Sequence, residues 1–71
     1  MKTFFRVIEI EEDGHENYTE YDQTLEEVAI NHANNSWSCN QGNYQSVMVE
    51  KVTIDEEHPQ NEHHEYIIIY E

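Results

Sequence analysis

Five histidines and one cysteine are the residues best suited to bind a metal or move a proton in this 71-residue sequence. His58, His63 and His64 lie close together, with Cys39 well upstream. Zinc sites present paired ligands at set spacings, such as Cys-x2-Cys or His-x3-His. His63 and His64 are adjacent, so on a strand they point to opposite faces. They read as a surface histidine cluster, and neither a metal nor another cofactor is expected. Partial protonation of these rings below a pH of about 6.5 would reduce the net negative charge.

The other chemistry-bearing residues lead no further. His32 falls on the apolar stripe of a predicted helix, where a packed core histidine belongs. Cys39 has no basic neighbour in sequence to favour a thiolate. Ser36, Ser38 and Ser46 sit in no nucleophile elbow. Gly14 and Gly42 are the only glycines, and they form neither a phosphate loop nor a dinucleotide fingerprint. So short a domain also has little room for a substrate cavity. No enzyme is expected.

Carboxylates dominate what remains. Sixteen Asp and Glu face three Lys and Arg, for a formal charge of −13, and thirteen of the acids are Glu. This excess opposes folding through self-repulsion and excludes direct binding to nucleic acid. Twelve of the sixteen fall into three groups. Glu11, Glu12, Asp13 and Glu16 surround a predicted hairpin turn. Glu20, Asp22, Glu26 and Glu27 run from a second strand into a helix start. Asp55, Glu56, Glu57 and Glu62 occupy a later turn. Together they predict an acidic rim that binds a basic partner.

A compact chain of this length is about 30 Å across. Duplex DNA of that length carries about 17 to 18 phosphates. The charge thus approaches that of DNA, and a basic groove built to track phosphates would be drawn to it. The competing expectation is an acidic surface that serves only solubility. The Glu bias argues against a halophilic surface, which favours Asp as well.

The elements that must hold these groups are legible from apolar periodicity. Low hydropathy with high charge is the signature of disorder, but the segments FFRVIEI, VMVEKVTI and YIIIY read as strands seeking partners. The first strand spans Thr3 to Glu11, with Phe4, Ile8 and Ile10 on one face and Phe5, Val7 and Glu9 on the other. Asp13-Gly14 suits a type I′ turn, and Tyr18 to Tyr21 returns as a short second strand. Thr24 and Glu27 match a capping box. The helix that follows buries Leu25, Val28, Ala29, His32, Ala33 and Trp37. It covers about eleven residues and weakens at Asn34-Asn35-Ser36, before an uncharged loop from Ser38 to Asn43.

Tyr44 to Ile54 forms the next strand, and Asp55 to Glu62, with the only proline, a turn. His64 to Tyr70 is the last strand. Its Ile67-Ile68-Ile69 run places it inside the sheet or under a partner. The fold class is α+β, a single domain with one helix on a small antiparallel sheet, in the order ββαββ. If Tyr18 to Tyr21 is loop, the order is βαββ. One short helix leaves apolar residues on the second sheet face, so a homodimer is expected.

A single cysteine allows no internal disulfide, and Arg6 and Glu9 interrupt the N-terminal apolar run. The chain therefore reads as cytoplasmic, with neither a signal peptide nor a membrane span. With MKTFFRVIEIEEDGHENYTEY at its start, its acidic rim and its length, it resembles the small acidic host-takeover proteins of bacteriophages. More narrowly, it is similar to the DNA-mimicking inhibitors of the nucleoid protein HU from lytic Bacillus phages. The resemblance implies a ligand for the basic DNA-binding cleft and arms of HU, acting in the host cytoplasm or nucleoid. It transfers no residue by motif, and anti-restriction and anti-CRISPR mimics share the same physics.

Overall fold

Alternating apolar residues draw four strands into one sheet, and a small-residue helix stripe closes one of its faces. The computed structural model describes residues 1–39 and 42–71. The strands are β1 (Lys2–Glu11), β2 (Glu16–Asp22), β3 (Tyr44–Ile54) and β4 (Glu62–Tyr70). Helix α1 (Glu26–Cys39) follows β2 through a single 3-10 turn, Gln23–Leu25. All neighbours pair antiparallel in the order β2-β1-β3-β4. The fold is α+β with ββαββ order; the second strand forms, and βαββ falls away.

The core lies between α1 and the two central strands. Phe5 and Val7 of β1 and Val47 and Val49 of β3 pack under Ala29 and Ala33, which are four apart and so share a helix face. Two alanines at the contact let the helix sit close to the sheet. Tyr21, Trp37, Tyr44, Ile68 and Tyr70 fill the margins. Alternation along β1 groups Phe5, Val7 and Glu9, and theirs is the face that α1 covers.

The helix stripe is narrower than its spacing suggested. Leu25 and Val28 remain exposed. Leu25 belongs to the 3-10 turn, whose three-residue period breaks the phase of the stripe. The capping box does not form either. Asp22 caps instead, accepting from the Thr24 amide at 3.1 Å and the Thr24 hydroxyl at 2.8 Å. At its other end the helix continues through Asn34, Asn35 and Ser36 for 14 residues in all. Tertiary partners hold that turn: Ser36 donates to Glu9 at 2.6 Å, Tyr70 donates to Asn34, and Trp37 stacks on Tyr70 at 5.7 Å. Asn40 and Gln41, within the predicted loop, lie outside the described residues.

The hairpin turn also differs. Of its residues only Gly14 has a positive φ, +91°, whereas type I′ needs two. The Glu11 amide pairs with the His15 carbonyl at 2.8 Å, and the Gly14 amide with the Glu11 carbonyl at 2.8 Å. This is a three-residue loop with Gly14 in the left-handed position. An added Cβ at Gly14 meets nothing within 4 Å, so the penalty of a side chain there is backbone strain alone. Gly14→Ala will therefore lower unfolding free energy by about 1 kcal/mol, and Gly14→Asn by less, in urea titrations.

β4 is not interior. It forms a sheet edge, and Tyr66, Ile67 and Ile69 are exposed. Alternation alone makes the Ile67-Ile68-Ile69 run apolar on both faces, and a bulge opposite Val49 and Glu50 shifts the phase so that Tyr66 and Ile69 share a face. Ile68 turns toward the core cluster, while Ile69 pairs with Met48 on the uncovered face.

Candidate functional site

Antiparallel pairing decides where the acids meet. β1 and β3 pair Lys2 with Ile54 at one end and Glu11 with Tyr44 at the other. The end near Lys2 collects Asp22 from β2, Glu26 and Glu27 from the first turn of α1, and Asp55, Glu56, Glu57 and Glu62 from the β3–β4 connection. Asp22, Glu56 and Lys2 line one shallow recess there. The opposite end holds Glu11, Glu12, Asp13 and Glu16, and Glu11, Glu12 and Asp13 line a second recess with Gly42, Asn43 and Tyr44. Glu16 and Glu20 run along β2, the edge strand between the two ends. The three groups thus become two acidic ends and an acidic edge.

Several of these carboxylates have local tasks. Glu11 accepts from Asn17 at 2.9 Å, and Asp13 from the His15 amide at 2.9 Å. Glu16 accepts from the Tyr18 hydroxyl at 2.8 Å, and this bond is the main reason the phenol is held above its ordinary value. The hydrogen bonds from Thr24 hold the Asp22 carboxyl below its ordinary range. Asp55 closes its turn by accepting from the Glu57 amide at 3.0 Å. Glu20 pairs with Arg6 at 3.2 Å, and Glu62 lies 3.4 Å from the His64 ring.

Glu12, Glu26, Glu27, Glu56 and Glu57 are different. Their side chains are exposed and engage none of the described residues in a hydrogen bond or ion pair. At the N-terminus of α1, Glu26 and Glu27 also complement the helix dipole. Of the twelve grouped acids, these five are the ones a partner can take without competition.

Two acids outside the predicted groups are buried instead. Glu9 is 8% exposed beneath α1, bonded to Ser36, with the His32 ring at 3.6 Å. His32 is bonded in turn to the Tyr21 hydroxyl at 2.8 Å. Burial, and then the charges of Glu9 and Glu11, push the Tyr44 phenol up. On the uncovered face Glu50 is 5% exposed, between Arg6 at 3.3 Å and His64 at 3.3 Å. Arg6 itself lies over the rings of Phe4 and Tyr18, at 5.4 and 5.8 Å. Sequence held one signal for both acids: each interrupts an apolar alternation, at Phe5-Val7-Glu9 and at Met48-Glu50-Val52.

No family model matches this chain, and no curated protein or solved structure is detectably similar to it.

Among the described residues, no group of three or more His, Cys, Asp and Glu is placed to hold a metal ion. His64 turns to Glu50 and Glu62, and His63 pairs with Thr53 on the other side of the strand. No helix among them is long and apolar enough to cross a membrane. The body is also more elongated than a compact sphere, 42 × 24 × 15 Å. Duplex DNA 42 Å long carries about 25 phosphate charges, so one chain with −13 has about half that linear density. The density expected from a 30 Å body is corrected accordingly.

Proposed function

We propose that this chain is a DNA-mimicking inhibitor that binds the basic DNA-binding surface of a host protein and competes with DNA for it. The observation that carries this is the placement of twelve acids on two ends and one edge, against three cations in the whole chain. Lys2 stands at one acidic end, and Arg6 is already committed to Glu20 and Glu50. Negative potential therefore dominates at the ends. Glutamate suits the task, since its carboxylate stands clear of the backbone and accepts a bidentate Arg. A nucleoid protein of the HU type is the target that the resemblance implies, with binding in the host cytoplasm. The chain acts as a ligand, without catalysis and without touching nucleic acid itself.

Competition on an HU-type protein carrying a labelled duplex tests this. The chain is expected to displace the duplex at low salt, with an affinity that falls steeply as salt rises. No displacement at low salt, or displacement insensitive to salt, overturns it. The uncovered sheet face favours a second reading, a structural or assembly accessory acting through a dimer. For that reading, substitutions at Tyr18, Tyr66 or the Ile67 to Ile69 run would matter more than charge reversal.

A further inference from the structure

The face of the sheet opposite α1 carries side chains in regular rows. One row crosses all four strands as Tyr18, Ile8, Met48 and Ile69, and is apolar throughout. The next crosses as Glu20, Arg6, Glu50 and Tyr66. Tyr18, Tyr66 and Ile69 are each more than half exposed, at 56%, 51% and 51%. None of the described residues forms a second layer over them.

We infer that a second copy of this chain covers this face, packed sheet to sheet about a two-fold axis that lies between β1 and β3 and runs along the strands. Such an axis exchanges β1 with β3 and β2 with β4, so each row meets its own reverse. Tyr18 then faces Ile69 of the second copy, and Ile8 faces Met48. Arg6 faces the position of Glu50 in the second copy, where Glu50 is only 5% exposed and held by its own chain's Arg6, so no like charges are opposed there. An axis running across the strands would instead set the acidic β2 on its own equivalent. The row pattern is therefore self-complementary in one orientation only, which is what an isologous interface requires. Sheets packed this way lie about 10 Å apart with strands within about 30°, so the two central rows stay in register.

Four strands about 4.8 Å apart and five rows about 6.8 Å apart give a footprint of roughly 500 Å² per copy. Ile8, Glu50 and Val52 within it are already buried in the single chain, so two copies remove at most about 1,000 Å², the lower bound for a specific interface, and the dimer is concentration-dependent. It also has a consequence for charge, which rests on the DNA-competition reading: twice −13 along the same 42 Å equals the roughly 25 charges of duplex DNA of that length.

Sedimentation equilibrium tests the dimer without any target, so its failure and that of DNA competition are separable. The weight-average mass is expected to rise from 8.5 kDa toward twice that value with concentration. Ile69→Lys and Tyr18→Asp, both at exposed positions, should each hold the mass at the monomer value while circular dichroism is unchanged. Mixing the two variants should restore the dimer, because Lys at 69 then faces Asp at 18 across the interface. A wild-type monomer at every concentration overturns the inference. So do single variants that still dimerise, or a mixture that stays monomeric. Should either variant lose its fold, nuclear Overhauser contacts between Tyr18 and Ile69 in a mixed-label wild-type sample decide the same point, and their absence overturns it.

Discussion

Replacing Arg6 with Met will destabilise the fold by about 2–3 kcal/mol, and adding Glu50→Leu to that variant will return most of the loss. Arg6 is half-buried and holds two carboxylates, but the two do not depend on it equally. Glu20 reaches solvent and can do without its partner. Glu50 is 5% exposed, and its other neighbour, the His64 ring, is shared with Glu62. Met at position 6 keeps an aliphatic stem but loses the guanidinium that lies over Phe4 and Tyr18, and it leaves a buried carboxylate without its cation. Breaking a fully buried pair costs about 3–5 kcal/mol, and the partial exposure of Arg6 reduces that. A chain of this length has roughly 4–11 kcal/mol of stability in total, so the single change is a large fraction of it.

Glu50→Leu alone should be mild, within about 1 kcal/mol. Arg6 keeps Glu20, His64 keeps Glu62, and the new side chain joins Met48 and Val52 on the same face. Urea unfolding of the four proteins, at concentrations below self-association, gives the coupling directly. If the two single effects simply add, Glu50 does not depend on Arg6 and the explanation fails.

Glu9 and Glu50 show their faces in the sequence, but their partners only in the tertiary structure. Alternation along β1 and β3 assigns faces from local sequence, because side chains on a strand alternate with a period of two. It places Glu9 with Phe5 and Val7, and the same period sets Glu50 with Met48 and Val52, as the pairing with β1 has them. What it lacks is the partner across the sheet or under the helix: Ser36 is 27 residues from Glu9, and Arg6 is 44 from Glu50.

The same limit applies to the helix end. Asn34 and Ser36 are weak helix formers, and their contacts with Tyr70 and Glu9 outweigh that weakness. The Asp13-Gly14 pair suits both a two-residue and a three-residue loop, and strand register makes the choice, through the pairing of Glu11 with His15. An apolar triplet on β4 fits either an interior strand or one covered by a partner; strand order puts β4 at the edge, which removes the first and leaves Ile67 and Ile69 exposed. The acidic groups fared better. Charge clusters lie in turns, and antiparallel order alone sends alternate turns to opposite ends of a sheet.

That division makes the functional prediction specific. The end near Lys2 has seven of the twelve acids, and four of the five uncommitted ones: Glu26, Glu27, Glu56 and Glu57. Reversing Glu56 and Glu57 to Lys and neutralising Glu26 and Glu27 to Gln raises the charge of this end by six. The turn itself survives, since Asp55 keeps its bond to the Glu57 amide. Affinity for an HU-type protein should fall on the order of a hundredfold at low salt, mostly through faster dissociation and slower encounter, and the difference should shrink as salt rises. Glu12→Lys with Glu16→Lys at the hairpin end alters four charges and should cost less, on the order of tenfold. Glu16 is also half-committed to Tyr18, and only Glu12 stands clear there. Isothermal calorimetry over a salt series separates the cases. An equal loss from both ends means the partner spans the long axis, as it would along DNA. If neither set weakens binding, the acidic ends are solvated surface and competition with DNA is not what this chain does.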